Sequence, residues 1–241
     1  MPLEFKITRP VECPYLDFKM EQRLAADISD RPETHDTLAR AGFRRVENWV
    51  YKPVCGSCRS CVPVRIPSGN GRDGNLIVSR NQRRVMKRNS DIDRTILPNI
   101  STFEHYDLFS KYLNSRHDDG QMVDMDYDSY TAMVTASPIE TKLIEYRLHG
   151  DVIGIMMIDV QDDGLSAVYS FFDPDLSERS LGTFMVLDCA SVAFDKDMDY
   201  VYLGYYVEQS RKMSYKSRFM PSEHLINGQW VTAPELDSKT E

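Results

Sequence analysis

Residues 141–173 read TKLIEYRLHGDVIGIMMIDVQDDGLSAVYSFFD, and this stretch decides the fold. Apolar and β-branched residues fill three runs, at 141–150, 151–161 and 165–173. The turns HGD and DDG separate the runs, and short polar turns between apolar runs are typical of β-hairpins. The stretch therefore predicts a three-stranded antiparallel meander. The whole chain has 241 residues, which is enough for one large or two small domains.

Helices and further strands are predicted around the meander. In chain order they are helices at 103–117 and 128–137, a turn and helix from 173 onward, a strand at 200–207, a helix at 208–219 and a hairpin around 227–228. This order resembles that of GNAT-type acyltransferase domains. The predicted fold class is α+β, with a GNAT-like C-terminal domain of mixed sheet and flanking helices at 91–241. A smaller α+β cysteine-bearing N-terminal module is expected at 1–90.

Within the expected N-terminal module, the sequence predicts a helix over 32–41 and a strand over 43–51. The strand leads into a cluster of cysteines. Three of its cysteines follow the spacing C-x-x-C-x-x-C, which suits a bound zinc ion or iron–sulfur cluster. We expect a fourth cysteine from the N-terminal segment to join them. A metal-free, buried cluster is the alternative. The four candidate ligands are Cys13, Cys55, Cys58 and Cys61.

Charge is unevenly distributed along the chain. The formal net charge of −8 argues against non-specific binding of nucleic acid. Residues 79–88, SRNQRRVMKR, nevertheless place five cations at helical spacing with no acid among them. We expect this face to contact phosphates of an RNA backbone, with a solvated surface helix as the alternative. The five cations are Arg80, Arg83, Arg84, Lys87 and Arg88.

Composition indicates in which cellular compartment the protein is expected. No stretch approaches the ~20 apolar residues of a membrane-spanning helix, and the N-terminal residues lack an apolar signal region. An odd number of cysteines, three of them crowded together, argues against a disulfide framework. We therefore expect the cytoplasm.

The segment SERSLGTF at 177–184 leads into the predicted helix after the meander. In GNAT-type proteins the start of this helix holds the pyrophosphate of coenzyme A. Ser180 is a candidate cap, Arg179 adds charge, and Gly182 permits close approach of the backbone. The segment departs from the glycine-rich turn of acetyltransferases, which leaves room for another phosphate-bearing donor, such as the 3′ end of an aminoacyl-tRNA. These three residues join the five cations as candidates for tRNA binding.

Five runs carry a resemblance to a known family. In order they are CPYL, YKPVCGSCRSCVPVRI, SRNQRRVMKRN, VYSFFDPDLSERSLGT and YVYLGYYVEQSRKMSYKSRFMPSEHL. They resemble the aminoacyl-tRNA–protein transferases of the N-degron pathway, and most of all the short bacterial aspartate/glutamate leucyltransferases. The resemblance spans nearly the whole chain.

This resemblance implies transfer of leucine from Leu-tRNA to the α-amino group of proteins that begin with Asp or Glu, which creates a destabilising N-terminus. Transfer of arginine to the same acceptors is the alternative within the family. A coenzyme-A acetyltransferase and a non-catalytic tRNA-binding zinc-knuckle protein are alternatives outside it. No cofactor is required for the chemistry. Position 16 is Leu, unlike the C-x-x-C of eukaryotic relatives, so a structural zinc or iron–sulfur cluster stays an open alternative.

An aminoacyl ester is already activated, so we expect catalysis chiefly by positioning, without a covalent nucleophile. Candidates for oxyanion stabilisation and for orienting the amine lie around the predicted strand 200–207 and the helix after it. They are Tyr205, Tyr206, Lys212, Tyr215, Lys216 and Asp173. Arg44, Arg45 and Arg65 are candidates for binding the acceptor's carboxylate or RNA. The histidines His35, His105, His117, His149 and His224 are expected to be structural or on the surface.

Overall fold

The structure is a computed structural model, and it describes residues 2–116, 124–210 and 212–233. The helices are α1 (His35–Arg40), α2 (Arg80–Arg88), α3 (Phe103–Arg116), α4 (Tyr127–Thr135) and α5 (Leu181–Asp195). The strands are β1 (Lys6–Ile7), β2 (Val11–Glu12), β3 (Met20–Glu21), β4 (Arg23–Asp27), β5 (Arg44–Val46), β6 (Trp49–Pro53), β7 (Val62–Pro67), β8 (Asp93–Pro98), β9 (Thr141–Leu148), β10 (Asp151–Gln161), β11 (Gly164–Phe172), β12 (Tyr200–Tyr206), β13 (Glu223–Ile226) and β14 (Gln229–Thr232). Turns of 3₁₀ helix lie at Pro32–Thr34, Pro174–Arg179 and Ser214–Arg218.

An eight-stranded mixed sheet forms the body of the molecule, in the order β14-β13-β7-β12-β11-β10-β9-β8. The predicted meander is confirmed, because β9, β10 and β11 pair antiparallel in sequence. Strands β11 and β12 run parallel, which requires the crossover that α5 supplies. The closing hairpin is also confirmed: Asn227 and Gly228 both have positive φ, at 50° and 80°, as a tight two-residue turn demands.

Both faces of the large sheet are covered. Ile144, Tyr146 and Ile158 belong to a buried cluster that includes residues of α5. Their neighbours Leu143 and Ile155 belong to a second buried cluster, with residues of α3 and α4. Successive strand residues point to opposite faces, so a strand covered on both sides is apolar nearly throughout, as the run DVIGIMMIDVQ is.

A smaller sheet of order β1-β4-β6-β5 lies in the N-terminal part. The predicted single strand over 43–51 is wrong, because β5 and β6 are the two arms of a hairpin. The chain reverses at Glu47, whose φ is 50°. Apolar residues continue on either side of this turn, and its ENW sequence lacks the Asn-Gly or Asp-Gly signal that marks most hairpins.

The division of the chain near residue 90 stays a prediction. Strand β7 comes from the predicted N-terminal module, yet it pairs with β12 and β13 inside the eight-stranded sheet. Helix α2 likewise packs against α5 of the second half. The two predicted units therefore share one sheet.

The predicted helix over 208–219 is wrong. The only helical structure among its described residues is the 3₁₀ turn Ser214–Arg218. Serine hydroxyls compete for backbone partners here, since Ser217 Oγ donates to the Ser214 carbonyl at 2.8 Å. Lys212 and Tyr215 are exposed whereas Lys216 is buried, so these residues do not share one helix face. Within the described ranges, no helix has the length and apolar character needed to cross a membrane.

Candidate active site

A cleft opens in the large sheet where β11 and β12 part. The two strands pair only from Gly164 to Ser166 on β11, although β11 continues to Phe172 and β12 to Tyr206. Each strand is irregular just beyond the last pair. The register of β11 with β10 shifts between Ala167 and Tyr169, and the register of β12 with β7 shifts before Gly204. Such bulges bend strands and end their pairing.

Arg44 of β5 fills the inner end of this cleft. Its Nη2 donates to the carbonyl oxygens of Ala167 and Val168, at 3.2 and 2.8 Å. On the other wall, Gly204 has a φ of 76°, and a Cβ added there would lie 2.3 Å from Arg44 Nη1. Glycine is thus required at this position for two reasons: the backbone has a positive φ, and the Arg44 guanidinium occupies the space that a Cβ would need.

Tyr205 and Tyr206 lie on opposite faces of β12, as predicted. Tyr205 is buried and its hydroxyl donates to the carbonyls of Gly42 and Tyr51, at 2.9 and 3.1 Å. Burial raises the pKa of Tyr205. The phenol is therefore a neutral hydrogen-bond donor that ties β12 to the smaller sheet.

Lys216 is 4% exposed, and its Nζ donates to the carbonyl of Tyr205 at 2.6 Å. Burial lowers the pKa of Lys216 well below its usual 10.5, and the nearby Arg44 lowers it further. Tyr215, its neighbour in the 3₁₀ turn, is within electrostatic range of Arg44 and Tyr112. This tyrosine is 38% exposed, and desolvation of the part that is covered raises its pKa. The predicted residues Tyr205, Tyr215 and Lys216 thus gather around Arg44, while Lys212 is exposed.

The other two arginines predicted to bind the acceptor, Arg45 and Arg65, are engaged in ion pairs within the protein. Arg45 and Asp159 form an ion pair at 2.7 Å in which each side chain is 1% exposed. Arg65 pairs with Glu223 at 2.7 Å and lies 3.5 Å from the centre of the Tyr200 ring. Both guanidiniums join strands, and neither offers a free edge to a ligand.

Asp173 ends β11 at the open side of the cleft. Its carboxylate accepts a hydrogen bond from Lys111 Nζ at 2.7 Å and caps the 3₁₀ turn Pro174–Arg179 through the amide of Asp175. These contacts place Asp173 at the cleft mouth with its carboxylate already hydrogen-bonded.

The turn into α5 differs in detail from expectation. Ser180 occupies the cap position in a left-handed conformation, with φ of 54°, and its side chain makes no capping hydrogen bond. A Cβ at Gly182 would lie 3.2 Å from the Phe172 ring, so this glycine allows α5 to approach β11. Arg179 forms a two-pronged ion pair with Asp91, at 2.8 and 3.0 Å.

Helix α2 bears the predicted cationic stripe. The helix begins with a reciprocal capping box between Ser79 and Gln82, and all five cations are exposed. No ion pair of these five forms within residues 2–116, 124–210 and 212–233. The end of α2 contacts the turn before α5: Arg88 donates to the Glu178 carbonyl, and Asn89 donates to the Arg179 carbonyl at 2.8 Å. The stripe and the start of α5 therefore form one surface.

Sequence reasoning missed a cavity of about 290 Å³ beyond the end of β12. Its lining residues are Ser60, Val62, Tyr206, Glu208, Gln209, Ser217, Met220, Ser222, His224 and Ala233. The His224 ring packs against Tyr206 with 5.7 Å between centroids, and burial lowers the pKa of His224 below 6.5. His224 was predicted to be structural or exposed. The residues converge from β7, β12 and β13, which no local sequence pattern connects.

The four candidate metal ligands share one neighbourhood. Burial, together with the thiols of Cys13, Cys55 and Cys58 within electrostatic range, raises the pKa of Cys61 to about 12. Cys58 Sγ lies 3.4 Å from Ser60 Oγ, and hydrogen bonds from the Ser60 hydroxyl and backbone N–H to the Cys58 thiolate lower the pKa of Cys58. Among the described residues, no three or more His, Cys, Asp or Glu side chains are arranged to hold a metal ion. This arrangement of thiols does not fit a bound metal as it stands.

Comparison with known proteins gives two family matches. The N-terminal region of the arginine-tRNA-protein transferases matches residues 11–84, and their C-terminal region matches residues 104–226. Against solved structures, the C-terminal domain of a putative lysylphosphatidylglycerol synthetase from Agrobacterium fabrum aligns with a TM-score of 0.44 and 12% identity, over 73% of this chain and 52% of that one.

Curated relatives align over nearly the full length. An aspartate/glutamate leucyltransferase from Nitrobacter hamburgensis is 43% identical, over 99% of this chain and 94% of its own. Proteins of the same name from Caulobacter vibrioides and Ruegeria pomeroyi are 42% and 43% identical, over 95% and 96% of this chain and 83% and 85% of theirs. With both halves matched in order, the chain belongs to the arginine-tRNA-protein transferase family and is a transferase enzyme.

Proposed function

We propose that this protein transfers leucine from Leu-tRNA to the α-amino group of proteins that begin with Asp or Glu. The observation that carries the proposal is the cleft between β11 and β12, whose mouth adjoins the turn before α5 and, through it, the exposed cations of α2. A tRNA lying along α2 would deliver its 3′ end to this mouth. The leucyltransferase relatives favour leucine over arginine as the donor.

The reaction is an aminolysis. The acceptor nitrogen attacks the carbonyl carbon of the leucyl ester, a C–N bond forms, and the C–O bond to the ribose breaks. The proton lost by the nitrogen ends on the ribose hydroxyl. An α-amine has a pKa of about 7.7–8.0, so a useful fraction is uncharged near neutral pH.

Within the cleft, we assign the positioning of the reacting groups to Arg44, Tyr215 and Lys216. Among the described residues, Arg44 donates to Ala167 and Val168 through Nη2, which leaves the N–H groups of Nε and Nη1 for a ligand, and a guanidinium suits a carboxylate such as the acceptor's acidic side chain. Catalysis then rests on holding ester and amine together, an effect worth roughly 7–11 kcal/mol in favourable cases. We also infer that the fold is GNAT-like, since the element order follows that plan.

The test is transfer of labelled leucine or arginine from charged tRNA to peptides that begin with Asp, Glu or Lys. We expect leucine on the Asp and Glu peptides alone. Transfer of arginine in place of leucine would establish the alternative donor. Binding of tRNA without any transfer would favour a non-catalytic tRNA-binding protein.

We further propose that Cys13, Cys55, Cys58 and Cys61 stabilise the N-terminal part as packed thiols, with a structural zinc or iron–sulfur cluster as the alternative. If the cluster is only packed, Cys58→Ser should cost about 1–3 kcal/mol at most. If metal is bound, losing one thiolate should unfold this region, because metal-binding energy then contributes directly to folding. Metal analysis of anaerobically purified protein, combined with melting of the variant, decides between the two.

A further inference from the structure

The cavity beyond β12 is large enough to hold an aminoacyl group. Its volume of about 290 Å³ lies at the lower end of the range for ligand pockets. Val62, Met220 and Ala233 supply apolar surface and are each half-buried. The cavity is therefore suited to a small apolar group.

The charge of the cavity lining indicates which of the reacting groups, the donor's ammonium or the acceptor's carboxylate, the cavity favours. Among the described residues that line the cavity, Glu208 supplies the one acidic side chain, and burial lowers the pKa of His224, which favours its neutral ring. Among described residues, the Glu208 carboxylate has no hydrogen-bond or ion-pair partner. It favours an ammonium group and repels the carboxylate of an Asp or Glu acceptor.

We propose that this cavity binds the leucyl group of Leu-tRNA, with Glu208 pairing with the leucyl α-ammonium group and the apolar lining contacting the isobutyl side chain. This assignment rests on the proposed function and adds to it the part of the site that recognises the donor's amino acid. The 3₁₀ turn Ser214–Arg218 borders both spaces, since Ser217 lines the cavity while Lys216 lies beside the cleft. The ester carbonyl would lie between them.

The position of the charge also distinguishes leucine from arginine. Glu208 is exposed, so it lies at the mouth of the cavity, whereas the buried and half-buried described residues of the lining include no acidic side chain. An α-ammonium group is attached next to the ester carbonyl and would stay at the mouth. An arginyl guanidinium would extend inward and find no carboxylate there, which is costly for a buried charge.

The first experiment removes each partner of the proposed ion pair. N-acetyl-Leu-tRNA lacks the ammonium charge, so wild type should have a KM for it roughly fivefold above that for Leu-tRNA, as for an exposed pair. Glu208→Gln should raise the KM for Leu-tRNA by about the same factor and discriminate little between the two donors. Glu140→Gln, an exposed glutamate outside the cavity, is the matched control. Equal discrimination by wild type and Glu208→Gln would overturn the assignment.

The second experiment fills the cavity. Val62→Phe should lower kcat/KM for Leu-tRNA by more than about tenfold and lower it less for Ala-tRNA, since pocket size governs such selectivity. Ile96→Phe on β8, an exposed position at the opposite edge of the large sheet, should leave both donors unchanged. Equal losses for both donors, with normal melting and tRNA binding, would also overturn the assignment. If wild type transfers no leucine at all, the proposed function itself fails, and this outcome is distinct from the others.

Discussion

Two adjacent arginines have opposite roles, and only the structure separates them. Arg45 points into the interior and pairs with Asp159, with a further hydrogen bond to Thr141 at 3.3 Å. Arg44 points to the other face of β5 and enters the cleft. The sequence placed both among the residues that bind the acceptor. Their difference follows from the alternation of side chains along a strand, together with a burial pattern set by residues more than 100 positions away.

We predict that Arg45→Met destabilises the protein by about 3–5 kcal/mol, because it leaves the buried Asp159 carboxylate without its guanidinium partner. Arg44→Met should cost less than about 3 kcal/mol, since it removes hydrogen bonds to carbonyls only. Leucine transfer by Arg44→Met should nevertheless fall about 100-fold. Urea unfolding and transfer assays on both variants check this. Equal effects of the two changes on stability and on transfer would contradict it.

Lys216 makes stability depend on pH. Its folded-state pKa is lowered, so the folded protein gives up this proton before the unfolded chain does. Below the folded-state pKa both states are protonated and the full cost of burying the charge is present. As pH rises from there towards about 10.4, the unfolded state binds more protons and stability increases. Lys216→Met should remove this contribution. The measurement is the free energy of unfolding against pH for both proteins, and identical slopes would contradict the prediction.

Helices and strands with a regular period of apolar or charged residues could be predicted from the sequence, whereas segments with irregular backbone could not. The meander, α2, α3 and α4 were predicted because apolar or charged residues recur at 2 or 3.6 residues. The hairpin β5–β6 and the 3₁₀ turn Ser214–Arg218 were missed, because their conformations depend on left-handed or 3₁₀ residues without a strong local signal. These same segments supply Arg44, Tyr215 and Lys216. The candidate site residues were therefore proposed from side-chain chemistry and from the family resemblance, and not from a regular period along the sequence.

The stripe on α2 yields a prediction about salt. Reversing Arg83 and Arg84 to Glu should weaken tRNA binding and reduce the slope of log K against log salt by roughly 2, as expected if each releases about one counterion. Lys142→Glu with Lys196→Glu changes the net charge equally at sites outside α2 and is the control. An unchanged slope in the α2 variant would indicate that this helix is an ordinary solvated surface helix that does not contact tRNA phosphates.

The bulge of β12 can be tested with a matched pair of glycines. Gly204 and Gly228 have φ of 76° and 80°, so alanine should strain either backbone by about 1–2 kcal/mol. Only Gly204→Ala also displaces Arg44, because nothing lies within 4 Å of a Cβ at Gly228. We expect transfer activity to fall about 100-fold in Gly204→Ala and to persist in Gly228→Ala. If both variants fold and have similar transfer activities, the position of Arg44 in the cleft is not needed for activity.

For the whole molecule, the shared sheet predicts a single unfolding transition. Separating residues 1–90 from 91–241 removes β7 from between β12 and β13 and takes α2 away from α5. We therefore expect the full chain to unfold with equal calorimetric and van't Hoff enthalpies, and neither fragment to fold alone. Calorimetry of the chain and circular dichroism of the fragments check this. Two transitions, or a folded fragment, would support independent domains on either side of residue 90.

The contact between Arg44 and β11 has a consequence for the order of events during synthesis. Arg44 leaves the ribosome more than 120 residues before the carbonyls that it binds. Contacts between residues so distant in sequence are slow to form, because a long loop must close first. A nascent or truncated chain therefore carries its cationic segment before it has a cleft. Transfer activity should be acquired last, and it can serve as a kinetic marker of completed folding.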